Sequence, residues 1–174
     1  KLETTQADVT GLIGQYAHGN EPSHHVTYLY ALAGRPERTQ ELIREIFDTQ
    51  YSPKPNGLCG NDDCGQMSAW YILSSMGFYP VCPGTDQYVL GAPYLPYIKV
   101  MLENGKTFEV KADKVSDKNR YVKSVKLNGK PYTKGFITQQ DIMDGGTLTF
   151  EMTSSPNKKR VFNGTDRPYS LSSN

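Results

Sequence analysis

The stretch IKVMLENGKTFEVKA, residues 98 to 112, decides how the second half of this chain folds. Its apolar residues alternate with polar ones on both sides of Asn104-Gly105, a dipeptide typical of a β-hairpin turn. YVKSVKLNGKPYTKG, residues 121 to 135, repeats the pattern around Asn128-Gly129, and TLTFEMT, residues 147 to 153, is a further alternating segment. We therefore predict an antiparallel β segment that forms part of a β-sandwich.

Upstream of this segment the apolar residues follow a helical period. After Pro36 they recur on one face, with charged residues on the other: Leu42, Ile43, Ile46 and Phe47. We predict three helices, namely one that Ser23 caps and that ends at Gly34, one that begins at Pro36, and one from about Gly65 to Met76 that stops at Gly77. The stretch rich in Pro and Gly at residues 51 to 61 is predicted to be a loop.

The change of period falls in PVCPGTDQYVLGAPYLP, residues 80 to 96. We therefore predict an α+β chain, with helices in residues 1–84 and the antiparallel β segment in residues 85–174. Three helices of this kind do not easily close a core around themselves, so we expect the helical half to belong to a larger helical assembly.

Composition excludes several classes of partner. The chain has 174 residues and a formal net charge of +1, which gives no reason to expect a nucleic acid or an anionic membrane. Its longest apolar runs, such as AWYIL, are too short to span a bilayer. The first residues, KLETTQADVTG, lack the apolar segment and cleavage site of a signal peptide and do not begin with Met. We interpret the sequence as a mature or excised piece of a longer protein.

The cysteines Cys59, Cys64 and Cys82 do not form a recognisable metal motif. A structural zinc site needs four Cys or His ligands in paired spacing, which C-x4-C plus one distant cysteine does not supply. One disulfide with a free thiol and three buried thiols are both compatible with the spacing. We expect at least two of the three to be ordinary buried residues.

The stretch GLCGNDDCGQMSAW, residues 57 to 70, carries the first candidate site, because Asp62 and Asp63 stand side by side just before a predicted helix. One interpretation is structural: Asp63 caps the helix, and Gln66 three residues later completes a capping box. The other is catalytic. A helix N-terminus favours an ionised carboxylate, which a general base must be to accept a proton from water.

The stretch HGNEPSHH, residues 18 to 25, carries the second candidate site. His24 and His25 are adjacent and cannot easily share a metal on a helix, and the H-x-x-x-H spacing of zinc proteases is absent. One interpretation is a capping turn with one buried, hydrogen-bonded histidine. The other is a site for substrate polar groups or for a hard cation, because oxygen donors such as Asn20 and Glu21 suit Ca²⁺ better than zinc.

Three longer stretches together resemble the C-terminal part of a family 92 glycoside hydrolase: HGNEPSHHVTYLYALAGRP, GLCGNDDCGQMSAWYILSSMGFYPVCPGT and DRPYSLS. The resemblance covers nearly the whole chain. It implies exo-acting, inverting α-mannosidases that depend on Ca²⁺, which is thought to help distort the mannoside ring. It also implies an N-terminal β-sandwich and an (α/α)6 barrel. In that case this chain holds helices of an incomplete barrel followed by an antiparallel β-sandwich-like segment.

The resemblance also implies roles for individual residues. Inversion requires a carboxylic acid that protonates the leaving oxygen and a carboxylate base that activates water on the opposite face. By position in the motif, Asp63 is the expected base and Asp62 the next candidate, while Asn61 stands where the family often has an acidic residue. The expected substrate contacts are Glu21, His24, His25 and Asn61, and the expected Ca²⁺ ligands are Asn20 and Glu21.

One part of the family pattern is absent from these residues. The general acid is a Glu in an upstream motif resembling EGNAWQYTW, which this sequence lacks. We therefore expect the isolated chain to be inactive or nearly so, with an α-mannoside glycan and the missing N-terminal part of the parent chain as its partners. Bacterial relatives suggest a secreted or periplasmic parent. Linkage preference among α-1,2, α-1,3, α-1,4 and α-1,6 mannosides stays open.

A different class of function is a non-catalytic carbohydrate-binding or structural accessory β domain. A β-sandwich with 12 tyrosines fits this alternative, although buried core tyrosines give the same composition. The two hypotheses differ in where a sugar binds. The binding module predicts the strands after residue 96, whereas the enzyme predicts residues 18 to 25 and 61 to 66.

Overall fold

The computed structural model describes residues 9–171 and combines helices with two main β-sheets. The helices are α1 (Leu29–Leu32), α2 (Pro36–Gln50), α3 (Gln66–Ser75) and α4 (Gln139–Met143), with short 3₁₀ turns at Glu21–Ser23, Val26–Tyr28 and Gly164–Asp166. The strands are β1 (Leu12–Ile13), β2 (Tyr16–Ala17), β3 (Phe78–Tyr79), β4 (Gln87–Leu90), β5 (Tyr97–Met101), β6 (Thr107–Asp113), β7 (Tyr121–Leu127), β8 (Lys130–Pro131), β9 (Phe136–Thr138) and β10 (Gly146–Thr153).

The first predicted helix is shorter than expected. Two 3₁₀ turns occupy the beginning of the predicted helix, and α1 itself has only four residues. The cap predicted at Ser23 is wrong, because the N-cap residue of α1 is Tyr28, which makes no side-chain cap. The predicted end is confirmed. Gly34 has a φ of 79°, and the Arg35 N–H donates to the Tyr30 carbonyl at 2.7 Å, which satisfies a terminal carbonyl of the helix.

Helix α2 begins at Pro36, as predicted, and its apolar stripe faces the interior. Ile43, Ile46 and Phe47 are buried. The same helix is fastened to the β half, because the Gln40 side chain accepts from the Val122 N–H at 3.0 Å. Packing of one amphipathic face therefore explains why this segment is helical and where it lies.

The β half follows the two predicted hairpins but is not wholly antiparallel. Both Asn-Gly pairs lie in turns, between β5 and β6 and between β7 and β8. In the five-stranded sheet, of order β5-β6-β10-β7-β8, the last strand enters between the hairpins and pairs parallel to β6 and antiparallel to β7. The prediction of an antiparallel segment is therefore wrong for the pair of β6 and β10. Because β6 and β7 run in opposite directions, a strand inserted between them must be parallel to one of the two.

The second sheet has three strands, of order β3-β4-β9, and shares a core with the first. This core joins Phe78 and Ile137 of the small sheet to Phe108 and Phe150 of the large one. A second core surrounds Trp70 between the helices. Within residues 9–171, no helix is both long and apolar enough to cross a bilayer.

Two expectations about organisation stay predictions. The helices α1 to α4 are too few to form an (α/α)6 barrel by themselves, so the barrel stays a prediction. The boundary at residues 84 and 85 lies between β3 and β4, and these two strands pair with each other.

Candidate functional site

A polar cavity of about 420 Å³ brings the two predicted site motifs together. It is lined by residues of both loops and of the segment before β1: Thr10, Gly19, Asn20, Glu21, Gly60, Asn61 and Asp63. Four predicted site residues, Asn20, Glu21, Asn61 and Asp63, thus line one space, although the two motifs are far apart in sequence. An arrangement of amide and carboxylate groups in a concave site is suited to binding polyhydroxylated ligands and hard cations.

The two loops meet through a glycine pair. A Cβ atom added to Gly60 would lie 2.6 Å from the Gly19 Cα, which is much closer than real Cβ contacts allow. The space beside Gly19 is likewise filled, by the Thr10 side chain. Glycine is therefore required at position 60 for the two backbones to approach this closely, whereas a side chain at position 19 would collide first with Thr10. Both glycines line the cavity.

The two adjacent carboxylates have different surroundings. Asp62 Oδ1 accepts from the Ser68 N–H at 2.9 Å, and Asp62 Oδ2 accepts from the Ser68 hydroxyl at 3.1 Å. Asp62 therefore holds the first turn of α3, whose N-cap residue, Gly65, makes no side-chain cap. The predicted capping box of Asp63 and Gln66 is wrong, because Asp62 rather than Asp63 accepts a hydrogen bond from a backbone N–H of the first turn of α3. Asp63 is exposed and lines the cavity.

The backbone around Asp63 adopts an unusual conformation. Asp63, Cys64 and Gly65 have successive φ values of 45°, 58° and 92°. Aspartate tolerates this left-handed region, but for cysteine it is uncommon, and such conformations persist where the surroundings fix them. Here the Gln66 N–H donates to the Asp63 carbonyl at 3.3 Å. The turn therefore leaves Asp63 exposed at the cavity while its carbonyl is bonded to the first residue of α3.

Below the cavity lies a buried histidine that the sequence interpretation did not single out. His18 is completely buried, and burial, followed by the neighbouring His24, lowers its pKa to about 3. Its Nδ1 lies 2.7 Å from the Tyr16 hydroxyl, and its Nε2 lies 2.7 Å from the Tyr51 hydroxyl. The ring is therefore neutral and bonded on both sides. In the sequence, His18 is recognisable only as a histidine that precedes Gly19 and Asn20, and this pattern does not predict whether the ring is buried or exposed.

The other two histidines of the motif lie outside the cavity lining. His24 is 1% exposed; its Nε2 donates to the His18 carbonyl at 2.9 Å, and its Nδ1 accepts from Gln66 Nε2 at 3.2 Å. Burial lowers the pKa of His24, in keeping with this neutral form. Both ring nitrogens are thus occupied within the chain. His25 is half-buried. Direct substrate contact by His24 and His25 stays a prediction.

The cysteine expectation is wrong. All three are free thiols; Cys59 is half-buried, and Cys64 and Cys82 are exposed. Cys64 and Cys82 lie in a turn and a bend, which leave their side chains exposed, whereas the Cys59 sulfur lies beside Gly11. Burial raises the pKa of the Cys59 thiol.

The residues that line the polar cavity form a donor set suited to a hard cation. Asn20 and Asn61 offer amide oxygens, and Glu21 and Asp63 offer carboxylates, which are the ligand types that Ca²⁺ prefers. Within residues 9–171 there is no cluster of three or more His, Cys, Asp or Glu residues positioned to hold a metal. A Ca²⁺ ion in this cavity therefore needs amide oxygens, water or groups from elsewhere in addition to the carboxylates.

Two other surfaces contain none of the predicted site residues. A cavity of about 480 Å³ is lined largely by apolar and aromatic side chains, among them Phe47, Tyr51, Tyr71 and Tyr94. The outer face of the five-stranded sheet carries Lys–Glu ion pairs, such as Lys123 with Glu151 at 2.9 Å. Tyr97 is an exposed aromatic residue on this face. The ion pairs make the face a solvated surface rather than an aromatic platform for sugar stacking.

Comparison with known proteins now identifies the family. The model of the glycosyl hydrolase family 92 catalytic domain matches residues 1–154. The chain therefore belongs to glycoside hydrolase family 92.

Solved structures of this family are similar to the chain in both sequence and fold. One is a family GH92 α-mannosidase from Bacteroides thetaiotaomicron in complex with mannoimidazole; it is 48% identical, has a TM-score of 0.90, and the match covers 94% of this chain and 22% of that one. Another, a GH92 inverting mannosidase from the same species, strain VPI-5482, is 42% identical with a TM-score of 0.84, over 91% of this chain and 22% of that one.

A protein of Arthroderma benhamiae described as an uncharacterized secreted glycosidase is also related. It is 33% identical over 133 residues, which is 75% of this chain and 17% of that protein. The chain thus spans about a fifth of the length of these relatives.

Proposed function

We propose that this chain supplies the general-base half of the active site of an inverting, Ca²⁺-dependent exo-α-mannosidase. The observation that carries the proposal is the single polar cavity that unites Asn20 and Glu21 with Asn61 and Asp63. The α-mannosidase and inverting-mannosidase descriptions of its relatives in the same family support the substrate class and the stereochemistry.

In the proposed mechanism, Asp63 is the base. Its carboxylate removes a proton from a water molecule as the water oxygen forms a bond to the anomeric carbon. The bond from that carbon to the leaving oxygen breaks on the opposite face of the sugar, and a glutamic acid outside this chain protonates the leaving oxygen. The exposed position of Asp63 on a fixed turn suits this role, because the base must reach the water without moving the loop.

Asp62 is the second candidate for the base, but its contacts favour a supporting role. Both of its oxygens already accept hydrogen bonds from Ser68. In this assignment Asp62 fixes the turn that carries Asp63. Glu21 and Asn61 bind sugar hydroxyls from the two sides of the cavity.

Asn20 and Glu21 are the proposed ligands through which this chain holds Ca²⁺. Calcium bound there would supply a hard positive charge near the sugar hydroxyl oxygens, which would favour distortion of the ring toward the transition state. Asn20 and Glu21 follow a glycine whose backbone is pressed against the opposite loop, which keeps their oxygens close to the turn of Asp63.

The substrates that we propose are α-mannosides such as the α-1,2-linked residues of N-glycans or mannan. We also propose that the parent enzyme is exported, as the secreted relative suggests. Because the general acid lies outside this sequence, the isolated 174-residue chain should be inactive.

The test uses the full-length protein that contains this segment. An aryl α-mannoside is assayed with the wild type, with Asp63→Ala, and with Asp86→Ala as a matched control in an exposed loop. We expect the wild type and the control to release mannose and Asp63→Ala to lose at least about a hundredfold in kcat. A wild type without α-mannosidase activity, or an Asp63→Ala variant with unchanged kcat, would overturn the proposal.

A further inference from the structure

Beneath the polar cavity, a chain of buried hydrogen bonds leads from His18 to the loop of the proposed base. The Tyr16 hydroxyl donates to His18 Nδ1 at 2.7 Å, and His18 Nε2 donates to the Tyr51 hydroxyl at 2.7 Å. Tyr51 in turn donates to the Met67 carbonyl at 3.1 Å, while the Met67 N–H donates to the Asp62 carbonyl at 3.3 Å. In this series of hydrogen bonds each donor has one acceptor, and the last bond is made within the first turn of α3.

A second chain of contacts joins the same two regions through the His18 backbone. The His18 carbonyl accepts from His24 Nε2 at 2.9 Å, and Gln66 Nε2 donates to His24 Nδ1 at 3.2 Å. The Gln66 backbone N–H then donates to the Asp63 carbonyl at 3.3 Å. The ring and the carbonyl of His18 therefore reach the two aspartates by separate routes.

The third link is the glycine contact. Gly19 follows His18 directly, and its backbone lies against Gly60 so closely that no side chain fits between them. The three links converge on one residue at the start of the first motif, so a shift of His18 would move both walls of the cavity.

The surroundings of His18 argue against a simple filling role. It is completely buried and packs edge-on against Trp70 at a centroid distance of 4.5 Å. An apolar side chain would fill such a space without the need for polar partners. A buried polar ring whose partners belong to different elements is instead a device that fixes those elements relative to each other.

We infer that His18 is a positioning residue, which through Tyr51, His24 and the Gly19–Gly60 contact sets the distance between the loop of Asn20 and Glu21 and the loop of Asp63. The inference rests on the proposed function of the cavity. It assigns His24 to the same positioning role, because both of its ring nitrogens are bonded within the network. Since a misplacement of about 1 Å can cost about a hundredfold in rate, the network controls kcat without touching substrate.

The test removes single hydroxyl groups from the full-length protein. Tyr51→Phe cuts the link from His18 to Met67 and keeps the aromatic ring, and Tyr16→Phe cuts the bond on the other side of the imidazole. Tyr28→Phe is the matched control, because the Tyr28 hydroxyl is also buried and donates to Ser74 at 2.8 Å, outside the network. We expect kcat to fall at least tenfold in Tyr51→Phe and to stay within twofold of wild type in Tyr28→Phe.

A second readout does not depend on activity. Hydrogen exchange measured by mass spectrometry on peptides that cover residues 57 to 68 should become at least several-fold faster in Tyr51→Phe and unchanged in Tyr28→Phe. Gly60→Ala, which separates the loops without touching His18, should give the same two effects. Equal kcat in Tyr51→Phe and the control, or equal exchange in both, would overturn the inference. A wild type that hydrolyses no α-mannoside would overturn the proposed function alone, because exchange still reports the coupling.

Discussion

The carboxylate of Asp62 binds both the amide and the hydroxyl of Ser68, at 2.9 Å and 3.1 Å, and so ties the candidate site loop to the start of α3. Its neighbour in sequence, Asp63, faces the cavity instead. Adjacent carboxylates would repel if both pointed the same way, and the left-handed turn that follows Asp62 gives the two residues different surroundings.

The first prediction concerns this anchor. Asp62→Ala removes the acceptor for the Ser68 N–H, and losing a cap of this kind costs about 1 kcal/mol. We expect hydrogen exchange in peptides spanning residues 62 to 68 to become several-fold faster in the full-length protein. The control is Asp113→Ala, an exposed change at the end of β6 that should leave these peptides unaffected. Equal protection of the loop in Asp62→Ala and wild type would show that the anchor is unimportant.

The second prediction separates the two aspartates by activity. Asp63→Asn keeps the shape of the side chain but removes the base, so we expect kcat for an α-mannoside to fall at least about a hundredfold. Asp62→Asn retains an oxygen that accepts from the Ser68 N–H, so its kcat should fall less than tenfold. Steady-state kinetics of both variants provide the comparison. A larger loss in Asp62→Asn than in Asp63→Asn would move the base to Asp62.

The third prediction concerns calcium. Treatment with EDTA should abolish hydrolysis, and added Ca²⁺ should restore it, because the cavity offers hard oxygen donors. Glu21→Gln removes one anionic ligand and should raise the Ca²⁺ concentration for half-maximal activity at least tenfold. Glu45→Gln, at an exposed position on α2, is the control. Full activity in EDTA, or an unchanged calcium requirement in Glu21→Gln, would argue against Asn20 and Glu21 as ligands.

The fourth prediction concerns the ionisation of His18. Burial lowers its pKa from 6.5 to about 3, so the folded ring stays neutral while an unfolded chain takes up a proton below 6.5. Stability is therefore unaffected above that pH and declines as pH falls from about 6.5 toward 3. NMR of protein carrying ring-labelled histidine should show a His18 signal that does not titrate between about pH 8 and 5. A midpoint near 6.5 would contradict the buried, doubly bonded ring.

Local patterns were enough to predict much of the fold. The helix beginning at Pro36, the glycine stop at Gly34 and the turns at both Asn-Gly pairs each depend on the conformational preference of a few neighbouring residues. The insertion of β10 parallel to β6 depends on long-range packing of apolar faces. No periodicity within one strand reports the direction of its partner, so this pairing could not be predicted.

The site was predictable in its residues but not in its contacts. The two motifs named four of the residues that line the cavity, Asn20, Glu21, Asn61 and Asp63. The spacing D-x-x-Q suggested a cap by Asp63, yet Asp63, Cys64 and Gly65 form a left-handed turn and the N-cap residue of α3 is Gly65. Likewise, the hydrogen bond between His18 and Tyr51 joins residues that are far apart in the chain, and no local sequence pattern predicts it.

A crystal structure of the full-length protein with a non-hydrolysed α-mannoside analogue would show directly whether Asp63 is the catalytic base. We expect the sugar to lie in the cavity between Glu21 and Asp63, with a water molecule hydrogen-bonded to the Asp63 carboxylate and placed against the free face of the anomeric carbon. A sugar bound instead on the outer face of the five-stranded sheet, with this cavity empty, would contradict the catalytic assignment and favour a carbohydrate-binding module.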